Sequence, residues 1–171
     1  MAKARFPAPH HDHAACIARS LARAETAYRK AGGRLTELRE RVLRELAAGH
    51  EALGAYDIIQ RLAAEGRRVA PISVYRVLES LLEIGLIHRI ESRNAFVACH
   101  APHAAREPTL FLVCEACGSV AEGGTAELGE AVLNAARTAK FKLDDMVLET
   151  TGLCEHCAQT GSSGEGSRGI G

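Results

Sequence analysis

The feature that most constrains this chain is a pair of matched cysteine motifs, Cys114-Glu-Ala-Cys117 and Cys154-Glu-His-Cys157, separated by 36 residues. Two residues between thiols let one tight turn present both sulfurs to a single metal ion. Two such turns complete a tetrahedral shell, which suits Zn2+. Gly118 and Gly152 flank the pairs and permit the tight backbone. A single C-x-x-C motif can also be a redox dithiol, but a second matched pair argues against that. A closed four-sulfur shell leaves no open position. Cys114, Cys117, Cys154 and Cys157 are therefore expected to hold a structural zinc that stabilises the fold rather than catalyses or senses.

The chain has 171 residues, enough for one ordinary domain or two small ones. No apolar run approaches the ~20 residues needed to cross a membrane, and the start, MAKARFPAPHHDHAAC, has no apolar core of a secretory signal. The expectation is a cytoplasmic protein with no membrane partner, where thiols stay reduced, so the six cysteines do not read as disulfides. The zero net charge hides an asymmetry. Residues 1–92 hold fifteen Lys/Arg and eleven Asp/Glu, and residues 93–171 hold six and ten. A basic half beside an acidic half suggests that the first half meets a polyanion.

Residues 1–11 show no periodicity and read as a flexible tail. A first helix is expected from Asp12 to Ala31, with Ile17, Leu21, Ala24 and Tyr28 on one stripe and Gly32-Gly33 as its stop. Thr36 is a good cap for a second, with Leu38, Val42, Leu43 and Leu46 inward and Gly49 at its end. A third runs from about Gly54 to Ala64 with Tyr56, Ile59, Leu62 and Ala63 helically spaced. Pro71 opens a fourth, whose stripe is Val74, Val77, Leu78, Leu81 and Leu82 and which ends at Gly85. Leu86–Ile90 and Ala95–Cys99 then read as two strands joined by a turn-rich tetrapeptide. Helix, helix, helix and hairpin over 36–99 is the pattern of a winged helix-turn-helix, although a generic helical cluster with a hairpin shares it. After the loop HAPHAAREP, strands are expected at Leu110–Val113 and Ser119–Ala121. A helix follows from Thr125 to about Ala139, with Leu128, Val132, Leu133 and Ala136 on one face, then a strand over Phe141–Thr150. Residues 159–171 lack any core-forming pattern and read as a disordered tail. The fold class is thus α+β: helices and a hairpin with the winged-helix pattern within 12–99, a hinge loop over 100–108 and a small α/β domain over 109–158.

A second group of potential ligands gathers where the halves meet: His88, Cys99, His100, His103, Glu107 and Glu122. Imidazole, thiolate and carboxylate together favour Zn2+ over hard cations. Taken singly, each has a plain alternative, since loop histidines are usually solvated and Cys99 can be a small buried hydrophobe. His10, His11 and His13 form a lesser cluster that reads as an incidental tail or weak metal scavenger, and Cys16 reads as buried.

Val74-Tyr75-Arg76-Val77-Leu78, then Gly85-Leu86-Ile87, then the paired C-x-x-C motifs resemble the ferric uptake regulator family of bacterial metal-dependent repressors. Within it, Ala55-Tyr56-Asp57-Ile58, Ile87-His88-Arg89-Ile90-Glu91-Ser92 with Asn94, and Phe96-Val97-Ala98-Cys99-His100 are similar to the zinc uptake regulator branch. The likeness covers about residues 15–158. It implies a winged-helix DNA-binding domain followed by a dimerisation domain, and a homodimer that binds double-stranded, palindromic operator DNA of zinc uptake genes when zinc-loaded. It implies DNA contacts from Tyr75, Arg76, Tyr56 and Arg39. Arginine offers a fork to guanine or phosphate, and tyrosine a ring to thymine methyls and a hydroxyl to phosphate. It also implies a regulatory zinc held by His88, Cys99, His103 and Glu122, with Glu107 or His100 as alternatives to His103, and two zinc ions per chain. Glu37-Leu38 departs from the Pro-Gln that relatives often carry before the arginine.

The resemblance implies a zinc-responsive repressor, in which metal at the junction fixes two recognition helices for successive major grooves about 34–36 Å apart. The rivals are a family member sensing iron, manganese or peroxide, a zinc hydrolase with an open position at the mixed site, and a zinc-ribbon interaction module without DNA binding.

Overall fold

A computed structural model describes Phe6 and residues 12–66, 68–99, 109–124, 126–144 and 146–161. The expectations placed on the first eleven residues, on His100, His103 and Glu107 in the loop, on Thr125 and on 162–171 lie outside the described residues, apart from Phe6.

Helix α1, His13–Lys30, begins where Asp12 accepts the Ala14 N–H at 2.9 Å. Its buried stripe is Cys16, Ser20, Ala24 and Tyr28, at four-residue spacing. This corrects the expected stripe: Ile17 and Leu21 are only partly buried and flank it. Helix α2, Glu37–Ala47, is capped by Thr36 as expected and buries Val42, Leu43, Leu46 and Ala47. In α3, Ala55–Ala64, Asp57 accepts the Gly54 N–H at 3.1 Å, closing the first turn. Ala55, Ile58 and Leu62 face inward. Tyr56, expected on the apolar stripe, is instead 69% exposed. Helix α4, Pro71–Glu83, carries Pro at its first position and buries Val74, Val77, Leu78 and Leu81.

The hairpin strands are β2, Ile87–Ile90, and β3, Ala95–Ala98. A 3-10 turn, Glu91–Arg93, joins them and closes through Asn94 at φ 46°, a left-handed conformation that asparagine tolerates. A two-residue strand, β1 (Leu53–Gly54), adds to β3 and gives the order β1-β3-β2. Sequence did not suggest it, since two residues carry no alternation. The four helices and this small sheet share one apolar core.

In the second half, β4 (Thr109–Cys114) is central. It pairs antiparallel with β5 (Val120–Gly124) and parallel with β6 (Val147–Gly152). Helix α5, Ala126–Thr138, connects β5 to β6. The strand expected from Phe141 starts only at Val147, because Lys140 turns the chain at φ 54° and leaves Phe141 exposed. A last helix, α6, runs Glu155–Gly161, three residues beyond the expected domain end at 158. On α5, Gly129 is buried and Leu128 is 41% exposed, while Val132, Leu133 and Ala136 are half-buried. Phe141, Val147 and Leu153, beyond α5, are also exposed in the single chain. No helix among the described residues is long and apolar enough to cross a membrane.

Candidate metal centres and the junction between the halves

Both C-x-x-C motifs converge at the end of the β4–β6 pair, where Cys114 is in register with Gly152. Cys114 closes β4 and is fully buried. The chain then turns through Gly118 at φ 74°, with the Gly118 N–H returning to the Cys114 carbonyl at 3.0 Å. Cys154 precedes α6 and Cys157 lies in its first turn. One sulfur from each of the four residues lies within 4.8 Å of the others, and the Cys117 and Cys154 sulfurs are 3.9 Å apart. A tetrahedral shell with Zn–S bonds of about 2.3 Å has edges of about 3.8 Å, so the spacing fits zinc.

Protonation chemistry agrees with that fit. Burial opposes ionisation of Cys114, but backbone N–H groups of Cys154, Cys117 and Ala116 outweigh it and bring the thiol down to about 6. Cys157 moves the other way, to about 12, because the Cys154 side chain, then burial, then Cys117 and Cys114 oppose its charge. The Cys114 thiolate comes easily and that of Cys157 is resisted; a divalent cation bound by both would favour both as thiolates.

The mixed cluster is also assembled. His88 on β2, Cys99 just after β3 and Glu122 on β5 bring one ligand atom each within 4.8 Å of one another. Cys99 is 2% exposed, and His88 Nε2 lies 3.8 Å from Glu122 Oε1. The His88 ring packs on Phe111, 5.1 Å between centroids, and Phe111 is in register with Glu122. Potential ligands from the hairpin and from the second sheet thus meet beside Phe111.

The halves are joined by more than this cluster. Ile90 and Val97 pack with Phe111, Val113 and Val120 in a second small core. The backbones pair across the seam: Val120 N–H donates to the His50 carbonyl at 2.7 Å, and Ala52 N–H to the Gly118 carbonyl at 3.2 Å. His13, the described member of the N-terminal histidine cluster, sets its ring 5.4 Å from that of His50. The hairpin tip is latched twice. Arg93 donates to the Cys114 carbonyl at 3.1 Å. The Glu149 carboxylate on β6 accepts the N–H groups of Glu91 at 2.6 Å and Ser92 at 3.0 Å.

Burial alone would raise the Glu149 carboxyl. Hydrogen bonds from the Ser92 side chain and from the Ser92 and Glu91 amides outweigh burial and hold it below its ordinary value. The latch is therefore complete above the ordinary carboxylate value and is lost as pH falls through the lowered one. Glu149→Gln is expected to speed hydrogen exchange at the Glu91 and Ser92 amides by about 2- to 10-fold, the effect of losing one net hydrogen bond. It should also abolish the acid-dependent step in their protection.

Of the residues implied to touch DNA, Tyr75 and Arg76 stand exposed on α4 and Tyr56 on α3. Tyr56 and Tyr75 line a shallow cavity of about 330 Å3 with Arg89, Asn94 and Phe96 of the hairpin. Arg39 is not in that lining. Its guanidinium lies over the Tyr28 ring at 4.3 Å and donates to the Arg34 carbonyl at 2.8 Å. Arg89, held by Asn94 at 2.9 Å, is a cation on this face to which sequence reasoning gave no role.

The profile of the Ferric uptake regulator family matches residues 30–151. The chain belongs to that family. It is 33% identical over 139 residues to the zinc uptake regulation protein of Escherichia coli (strain K12), covering 81% of each chain. Family membership makes it a transcription regulator and not an enzyme, which removes the hydrolase reading. A solved zinc uptake regulator complexed with zinc and DNA superposes with a TM-score of 0.80 at 32% identity, covering 85% of this chain and 97% of the other. Holo XcZur gives 0.74 at 34% identity, and apo XcZur 0.50 at the same identity, each covering 84% of this chain and 99% of the other. At equal identity and coverage, the chain superposes better on the holo relative than on the apo one.

Proposed function

We propose that this chain is a zinc-responsive repressor that binds operator DNA of zinc uptake genes as a homodimer, in the cytoplasm, with two zinc ions per chain. The observation that carries the reading is the convergence of His88, Cys99 and Glu122. Two of these belong to the wing that follows α4, and the third to the second sheet. His103 is the proposed fourth ligand. Zinc, when bound, supplies a cation that imidazole, thiolate and carboxylate satisfy together. The chain's own residues set what that union orients. His88 rests on Phe111, Ile90 and Val97 pack into the second core, and Glu149 and Arg93 hold the wing tip. Closing these contacts places α4 relative to the dimerisation half. The likeness to holo rather than apo XcZur supports this arrangement as the loaded one.

The exposed apolar residues Leu128 on α5 and Phe141, Val147 and Leu153 beyond it suit a second copy of the chain. In the dimer, the two α4 helices enter successive major grooves, with Tyr75, Arg76 and Tyr56 toward DNA and Arg39 beside them. Arg76→Ala is expected to cost about 1–3 kcal/mol, roughly 5- to 150-fold in operator affinity by fluorescence anisotropy, with zinc content unchanged.

Cys99 favours zinc over the iron, manganese or peroxide readings, because a thiolate is a soft donor. The test is to select duplexes from a random library with the metal-loaded chain, then measure mobility shifts under buffered Zn2+, Fe2+ and Mn2+. Palindromic duplexes held only with zinc are the expected result. Binding with iron or manganese and not with zinc would replace this reading.

A further inference from the structure

Arg23 lies on α1, 76 residues from Cys99 in sequence, yet its guanidinium spans that residue. Nη1 donates to the Cys99 carbonyl at 2.6 Å and Nη2 to the Cys99 sulfur at 3.4 Å. A planar fork with one N–H on the carbonyl and another on the sulfur of the same residue fixes both the backbone and the side-chain rotation. Cys99 is buried, so water does not compete freely for these bonds. The same helix reaches α4. Tyr28, about 7.5 Å farther along α1, shares a hydrogen bond of 2.9 Å with Ser80 and carries Arg39 on its ring. One rigid helix therefore touches both the proposed ligand and the proposed recognition helix.

We infer that Arg23 is a positioning residue of the sensing site: it holds Cys99 so that the sulfur faces His88 and Glu122, and it makes α1 part of that site. The inference rests on the reading of His88, Cys99 and Glu122 as a metal site. Partners that hydrogen-bond a ligand typically tune metal affinity by about 10- to 100-fold.

The experiment uses the full chain with its four-cysteine site filled with zinc. Sensing-site affinity is measured by competition with a chromophoric chelator, and the thiolate-to-metal charge-transfer band is recorded after Co2+ is titrated into that site. Arg23→Gln is the test variant. Arg19→Gln is the control, because Arg19 makes a similar bond on α1, to the Cys16 sulfur at 3.3 Å, away from the cluster. The expected result is about 10- to 100-fold weaker affinity in Arg23→Gln and a band moved to lower energy as the sulfur loses its donor, with both unchanged in Arg19→Gln. Wild-type affinity in Arg23→Gln, or weaker affinity with an unmoved band, overturns the positioning role and leaves the metal site standing. A wild-type chain that takes up no metal beyond the four-cysteine site overturns both.

Discussion

Cys114→Ser is expected to unfold the second half of the chain while leaving the helical half folded. The reason is the size of the two cores. The first half buries Val42, Leu43, Leu46, Ile58, Leu62, Leu78 and Leu81 in one cluster. Around β4–β5 the corresponding cluster is Phe111, Val113 and Val120, completed by Ile90 and Val97 from the other half. The face of α5 adds little without a partner. A unit this poor in apolar burial needs a staple. Structural zinc sites supply about 10–16 kcal/mol in small domains at neutral pH, comparable to or greater than the net stability of about 5–15 kcal/mol typical of whole proteins. Serine replaces a thiolate with a hydroxyl that zinc binds poorly. Hydrogen exchange should show lost protection across β4–β6, with α2 and α4 still protected, and sedimentation should show loss of the dimer. Unchanged exchange in β4–β6 would mean that the four-cysteine cluster does not hold this half together.

Cys99→Ser is expected to have the opposite profile: an intact fold and a broken response. Serine is close to isosteric, and its hydroxyl still accepts from Arg23, so packing at this buried position changes little. The proposed sensing cluster loses its softest donor. On the proposed two-zinc reading, zinc content should fall from two to one per chain, and operator affinity at saturating zinc should drop to that of the sensing-site-free protein. Coupling between such sites is typically about 1–3 kcal/mol, so the drop is about 5- to 150-fold. Metal analysis of the purified variant and anisotropy with a selected duplex measure the two effects separately.

These two sites differed in how legible they were, for physical reasons. The four-cysteine site was readable because each half of it is local: two residues between thiols determine one turn. The winged-helix pattern was readable because α2 and α4 carry long stripes with a cap at Thr36 and Pro71 at an N1 position. What sequence missed was built by distant pairing. Strand β1 exists only because β3 lies beside it. Tyr56 sits at helical spacing with apolar residues, but the face turned inward is set by Ala55, Ile58 and Leu62 packing on other helices. Arg39, a DNA contact that the resemblance implies, has a partner that spacing did not show: its guanidinium lies over the ring of Tyr28, eleven residues away. Arg23 left no local trace, since its partner is Cys99. The mixed cluster was readable as a set of residue types, and its three described members come from three different strands or their ends. His103 and its alternatives, His100 and Glu107, stay a proposal that ligand-by-ligand substitution resolves.

Metal at the wing–sheet junction is proposed to set operator affinity. Its most direct measurement is anisotropy with a selected palindromic duplex, titrated across buffered free zinc, with the four-cysteine site kept filled throughout. Affinity is expected to rise about 5- to 150-fold over one narrow range of free zinc, with the rise absent in Cys99→Ser. Equal affinity at both ends of the titration in the wild-type chain would contradict it.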